Sequence, residues 1–149
     1  MNFSLIYRIA ERFIGVHEGV GTIDNPMVLS MLRLDNATSH LTDETPWCSA
    51  FVNYIAWLLR LPRSKSLAAR SWLTVGTPVH LSEAQQGDVV VLNRAGGPAD
   101  PTVLNAPGHV GLFSSQVGSM VYLLGGNQSD AVSVVGFDAT RVLGVRRLV

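Results

Sequence analysis

The sequence predicts an α+β fold, because helical periodicity fills its first half, short strands fill its second, and no repeat or linker separates them. At 149 residues the chain is read as one domain, 1–149, long enough to bury a core of its own. Its composition, 47% hydrophobic and 15% charged, suits a packed interior rather than a disordered segment.

In the first half, Leu5, Ile6, Ile9, Phe13 and Ile14 form a helical stripe that stops at Gly15. A loop from His17 to Ile23 follows. Asp24-Asn25-Pro26 reads as a cap with proline at the first helical position, opening a short helix to about Leu34. Asp35 to Pro46 is polar and reads as loop. Trp47 to Leu61 is apolar almost all round, which predicts a buried core helix ended by Pro62. Ser66 to Leu73 is expected to form another short helix.

The period then changes. Gly87-Asp88 precedes Val89-Val90-Val91-Leu92, a buried-strand run. Val110 to Ser115, Met120 to Leu124, Ala131 to Val135 and Val142 to Arg147 are further strands, separated by Gly, Asn and Asp turns. The expected architecture is therefore N-terminal helices, one of them packed on an antiparallel sheet. Ala95 to Gly108 is a long Gly- and Pro-rich connection, a length that is often functional.

Eleven basic and eleven acidic residues give a formal net charge of zero. Binding to nucleic acid is not expected without a basic stripe to neutralise phosphates. Arg146-Arg147 reads as a solvated end. One cysteine excludes an intrachain disulfide. Met1 to Arg12 lacks a basic segment followed by an apolar run, and no stretch approaches the roughly 20 apolar residues of a membrane span. The expectation is a monomer made in the cytoplasm without its own export signal and without membrane insertion.

Cys48 falls at the start of the apolar helix, where backbone N–H groups and the helix dipole favour a thiolate. A buried cysteine acting as a small hydrophobe is the competing reading. His109 follows Pro107-Gly108 and opens a strand beside the long connection, a position that can hold a base rigidly against a nucleophile. His17, His40 and His80 are read as surface or core histidines. Asn127, at the end of the next strand, is the first candidate to orient the imidazole, with Gln128 as its substitute. A turn asparagine is the alternative for Asn127. Trp57 lies mid-helix and is read as core, whereas Trp47, beside Cys48, is the better candidate to line a substrate groove. Asp43 and Glu44 are read as helix-start acids rather than calcium ligands, and His17-Glu18 lacks the second histidine of a zinc-protease motif. No metal or cofactor is expected.

Several segments together carry a resemblance. They are Asp43-Glu44-Thr45-Pro46-Trp47-Cys48-Ser49-Ala50-Phe51-Val52, Ala69-Arg70-Ser71-Trp72-Leu73, Gly87-Asp88-Val89-Val90-Val91, Gly108-His109-Val110-Gly111 and Leu124-Gly125-Gly126-Asn127-Gln128. In this order the chain, from Asp24 onward, resembles the CHAP-type amidohydrolases and peptidases, relatives of the NlpC-type cell-wall peptidases, and their phage-associated branch. The resemblance implies a papain-like core, Cys-His-Asn catalysis by Cys48, His109 and Asn127, and hydrolysis of an amide in bacterial peptidoglycan. It departs at Gly125 and Gly126, near which many members carry an acidic residue. A phage endolysin that reaches the wall after release is the leading expectation. An N-acetylmuramoyl-L-alanine amidase, a secreted antibacterial effector and an inactive wall-binding or tail module are the alternatives.

Overall fold

The computed structural model describes residues 3–20, 24–36, 46–94 and 96–149. Within them the chain runs through helices α1 (Phe3–Ala10), α2 (Pro26–Arg33) and α3 (Cys48–Leu58). Strands follow as β1 (Thr77–Val79), β2 (Val89–Asn93), β3 (Gly108–Val117), β4 (Met120–Gln128), β5 (Ala131–Asp138) and β6 (Val142–Arg147). They form one antiparallel sheet in the order β1-β6-β2-β3-β4-β5. The α+β class read from the sequence is the one observed.

The helix boundaries follow from local chemistry. α2 starts where the Asn25 side chain accepts the Met27 N–H at 2.8 Å and Pro26 takes the first helical position. α1 tightens into a 3-10 turn over Glu11–Phe13 before Gly15 turns the chain at φ +97°. α3 ends at Leu58, three residues before the expected Leu61. Arg60 adopts a left-handed φ of 56°, the Arg60 N–H returns to Trp57 O, and the Leu61 N–H returns to Ala56 O. That pair of bonds closes a helix without glycine, so the sequence carried no stop signal there. α3 is also not buried all round. Phe51, Val52, Ile55 and Ala56 face the core, whereas Trp57 is 47% exposed, so it is not the core residue expected. Ser66 to Leu73 yields only a 3-10 turn, Ala69–Thr74.

α3 packs on β3 and β4. Val89, Val91, Val110, Leu112 and Leu124 lie on that face, in one cluster with Phe51 and Ile55. Val90, Leu92, Phe113, Val121, Leu123 and Val145 line the other face with Phe137. β2 is thus buried on both sides, which is why its sequence is an unbroken apolar run. β1 escapes sequence reading because it is three residues long, contains Pro78 and lies at the sheet edge.

Two arginines hold this layer in register. Arg147, expected at a solvated end, sits on β6 and grips the fully buried Asp88. Its Nε donates to Oδ1 at 3.0 Å and its Nη2 to Oδ2 at 2.8 Å. Arg70 is also fully buried. Its guanidinium donates to the carbonyls of Pro98, Asp100, Val103 and Pro107, cross-linking the long connection that delivers Gly108 and His109 to β3.

Candidate active site

Strand pairing between β3 and β4 runs from Val117–Met120 to Leu112–Leu124. Ladder pairing stops at Leu112, although the backbones stay adjacent, with a Cβ on Gly125 lying 3.5 Å from Gly111 Cα. Phe113 bonds Gly87 and Asp88 through its carbonyl and N–H, so by the alternation of an antiparallel strand the Val110 N–H points toward β4. That N–H lies near the Cys48 sulfur and draws the thiol pKa down. Cys48 is the first residue of α3, and the N–H groups of Ser49 and of Cys48 itself also lie close to the sulfur.

The electrostatics differ from the sequence expectation of a lowered thiol pKa. Burial pushes the Cys48 thiol above its ordinary value. The N–H groups of Val110 and Ser49 and the positive charge of Arg94 pull the other way without overcoming it. At rest near neutral pH the residue is a thiol.

His109 pairs with Leu92 and, as the strand neighbour of Val110, faces away from α3. Its ring centroid lies 5.2 Å from that of Phe137. The sulfur therefore reaches strand level from the α3 side, one peptide unit from the residue whose ring lies on the opposite face.

His109 Nε2 is 2.9 Å from Gln128 Oε1. The Gln128 amide nitrogen donates to Leu123 O at 3.1 Å and Ser133 O at 2.7 Å. This fixes Oε1 as the acceptor, so His109 carries its proton on Nε2 and keeps the lone pair on Nδ1. Burial lowers the His109 pKa below its ordinary value. The Gln128 bond opposes this, and Arg94 and Arg141 add to it.

Sequence reasoning put Asn127 first in this orienting role; the hydrogen bond belongs to Gln128. A bulge in β4 between Gly125 and Gln128 shifts the side-chain alternation, and Asn127 takes a left-handed φ of 57°. Asn127 instead lines a pocket of about 230 Å³ with His109, Gln128, Phe137, Arg94 and Arg141. Cys48 lines a neighbouring pocket of about 310 Å³ with Ala69, Pro107 and Gly108, and Arg94 borders both.

The two glycines of β4 are explained by contact. A Cβ on Gly125 would stand 2.6 Å from Gln128 Oε1, and one on Gly126 would stand 2.8 Å from Phe51 Cβ and the Trp47 ring. There is no room for an acidic side chain at either position while Gln128 and Trp47 hold their places. Trp47 is not a groove residue. It is fully buried, and its indole N–H donates to Glu18 at 3.0 Å.

His17 bridges to Ala131, and His80 precedes the 3-10 turn Leu81–Glu83. His40, Asp43 and Glu44 lie outside the described residues. Among the described residues no three His, Cys, Asp or Glu side chains converge as metal ligands, and no helix is long and apolar enough to cross a membrane. The sequence reading missed Arg94 and Arg141 because nothing in their spacing links them to His109. Comparison with known protein families and with curated proteins finds no match.

Proposed function

We propose that this chain is a cysteine-dependent hydrolase with a papain-like core that cuts an amide bond in the stem peptide of bacterial peptidoglycan. The observation that carries the reading is the fixed tautomer of His109. With Nε2–H committed to Gln128, the free lone pair is on Nδ1, and His109 adjoins in sequence the Val110 whose N–H lies near the Cys48 sulfur. No hydrogen bond joins ring and sulfur among the described residues, so the reading requires the ring to swing toward the sulfur when substrate binds.

The chemistry starts from a neutral pair. Nδ1 of His109 takes the thiol proton as the Cys48 sulfur bonds to the scissile carbonyl carbon. The oxyanion accepts from the Cys48 N–H and a neighbouring donor at the helix tip. The imidazolium then protonates the departing amine. A water that loses its proton to Nδ1 attacks the thioester, releasing the carboxylic acid and restoring the thiol. Gln128 keeps the ring in one tautomer throughout, in the role that the sequence offered to Asn127.

Digestion of purified peptidoglycan, followed by mass spectrometry of the fragments, tests this reading. A new amine on L-alanine identifies an amidase, and one on an inner stem residue an endopeptidase. Full digestion by Cys48→Ala would remove the nucleophile. The upward push of burial on the thiol favours a second reading, an inactive wall-binding module. It predicts that the wild-type protein binds the wall and releases no fragment.

A further inference from the structure

Arg94 and Arg141 approach His109 from the residue after β2 and from the turn before β6, and both line the pocket that contains its ring and Gln128. Both lie close enough for their charge to bear on the imidazole. Ion pairs among the described residues join Arg63 to Asp35 and Arg147 to Asp88, and neither involves Arg94 or Arg141. Two cations thus share a pocket of about 230 Å³, and among the described residues no carboxylate is in ion-pair contact with either.

Arg141 is built into place. Its Nε and Nη2 donate to Asn93 O at 3.2 and 2.9 Å, and its guanidinium carbon lies 5.4 Å from the Phe137 ring centroid. A stacked, tethered guanidinium is preorganised to meet a planar anion. Arg94 is exposed and borders both the His109 pocket and the Cys48 pocket, so it stands where the two halves of the candidate site adjoin.

We infer that the Arg94–Arg141 pocket binds a free carboxylate of the substrate, close in its chain to the bond that is cut. This deepens the proposed function and rests on it, selecting acidic stem peptides over amidated ones. A carboxylate between two guanidiniums would accept charge-assisted hydrogen bonds from both. A carboxamide there would carry no charge and present N–H groups to donors.

Binding tests this apart from catalysis. The Cys48→Ala protein is titrated with L-Ala-γ-D-Glu-L-Lys and with the same peptide carrying D-isoglutamine, which differ only in one carboxylate. The expected result is binding about tenfold tighter for the acid, with the difference lost in the Cys48→Ala/Arg94→Gln double variant. Equal binding of the two peptides, binding of neither, or a difference that survives Arg94→Gln overturns the inference. Cleavage of peptidoglycan by the wild-type protein is scored separately. Cleavage with no carboxylate preference would sink the inference and leave the hydrolase reading standing. Carboxylate-dependent binding without cleavage would do the reverse.

Discussion

Gln128 holds the Nε2 edge of His109 at 2.9 Å while its own amide nitrogen is tied to two backbone carbonyls, so one side chain sets both the orientation and the tautomer of the ring. Gln128→Leu leaves the buried Nε2–H without an acceptor and frees the other tautomer. Hydrolysis should fall by about tenfold to a hundredfold, less than the 10²–10⁴-fold typical of losing a general base outright. Asn127→Ala should cost much less. Rates measured on purified peptidoglycan rank the two, and the reverse order would return the orienting role to Asn127.

In the proposed mechanism the imidazole must be neutral to accept the thiol proton, and burial holds its pKa below the ordinary 6.5. The acid limb of kcat/KM should therefore lie below 6.5, with activity rising as pH increases through it. Linkage gives the same sign for stability. The unfolded chain binds a proton at His109 more readily, so the thermal midpoint should fall as pH drops from 6.5 toward the folded value. In His109→Ala, activity should be absent and this part of the stability profile should flatten.

Alkylation of Cys48 by iodoacetamide should titrate above the ordinary thiol value of 9.0 in the folded protein. Near neutral pH, His109→Ala should label more slowly than wild type, because the base that takes the thiol proton is missing. Equal labelling rates for the two proteins would mean that ring and sulfur do not exchange a proton.

Arg147→Ala removes the counter-charge of the fully buried Asp88 carboxylate, leaving the Gln85 N–H donating to its Oδ2 at 2.8 Å. Removing one partner of a buried pair costs about 3–5 kcal/mol, and the arginine's partial exposure argues for the lower end. The melting temperature should drop by roughly 6–12 °C, taking about 2–4 °C per kcal/mol for a chain of this size. A melt unchanged from wild type would show that the pair contributes nothing net.

Arg70→Lys keeps the charge but cannot reach four carbonyls with one ammonium. Limited proteolysis within 96–107 should accelerate, and hydrolysis should weaken through a looser approach to His109. Unchanged cleavage of that segment would show that the connection is held by other contacts.

Much of this arrangement was legible in the sequence because it depends on local pattern. The Asn25-Pro26 cap, the apolar runs and the placement of Cys48 at a helix start and His109 at a strand start need no knowledge of distant residues. Other features depend on contacts across the chain. Arg147 reads as a solvated residue until Asp88, 59 positions away, is found beneath it. Trp47 reads as a groove residue until β4 presents Gly126 to it. Gln128 displaces Asn127 because of a one-residue bulge, a register effect that strand alternation alone cannot reveal. The resting state of the thiol escaped for a related reason. The helix tip is visible in sequence, whereas the depth of its burial is not.

Gly126 gives that burial a scale. The ring of Trp47 and the Cβ of Phe51 come so close to its backbone that a single added methyl would have to displace them. Helix α3 therefore stands off from the sheet by a clearance that one hydrogen atom sets. Gly126→Ala touches neither sulfur nor imidazole, yet it would wedge the helix outward and carry Cys48 with it.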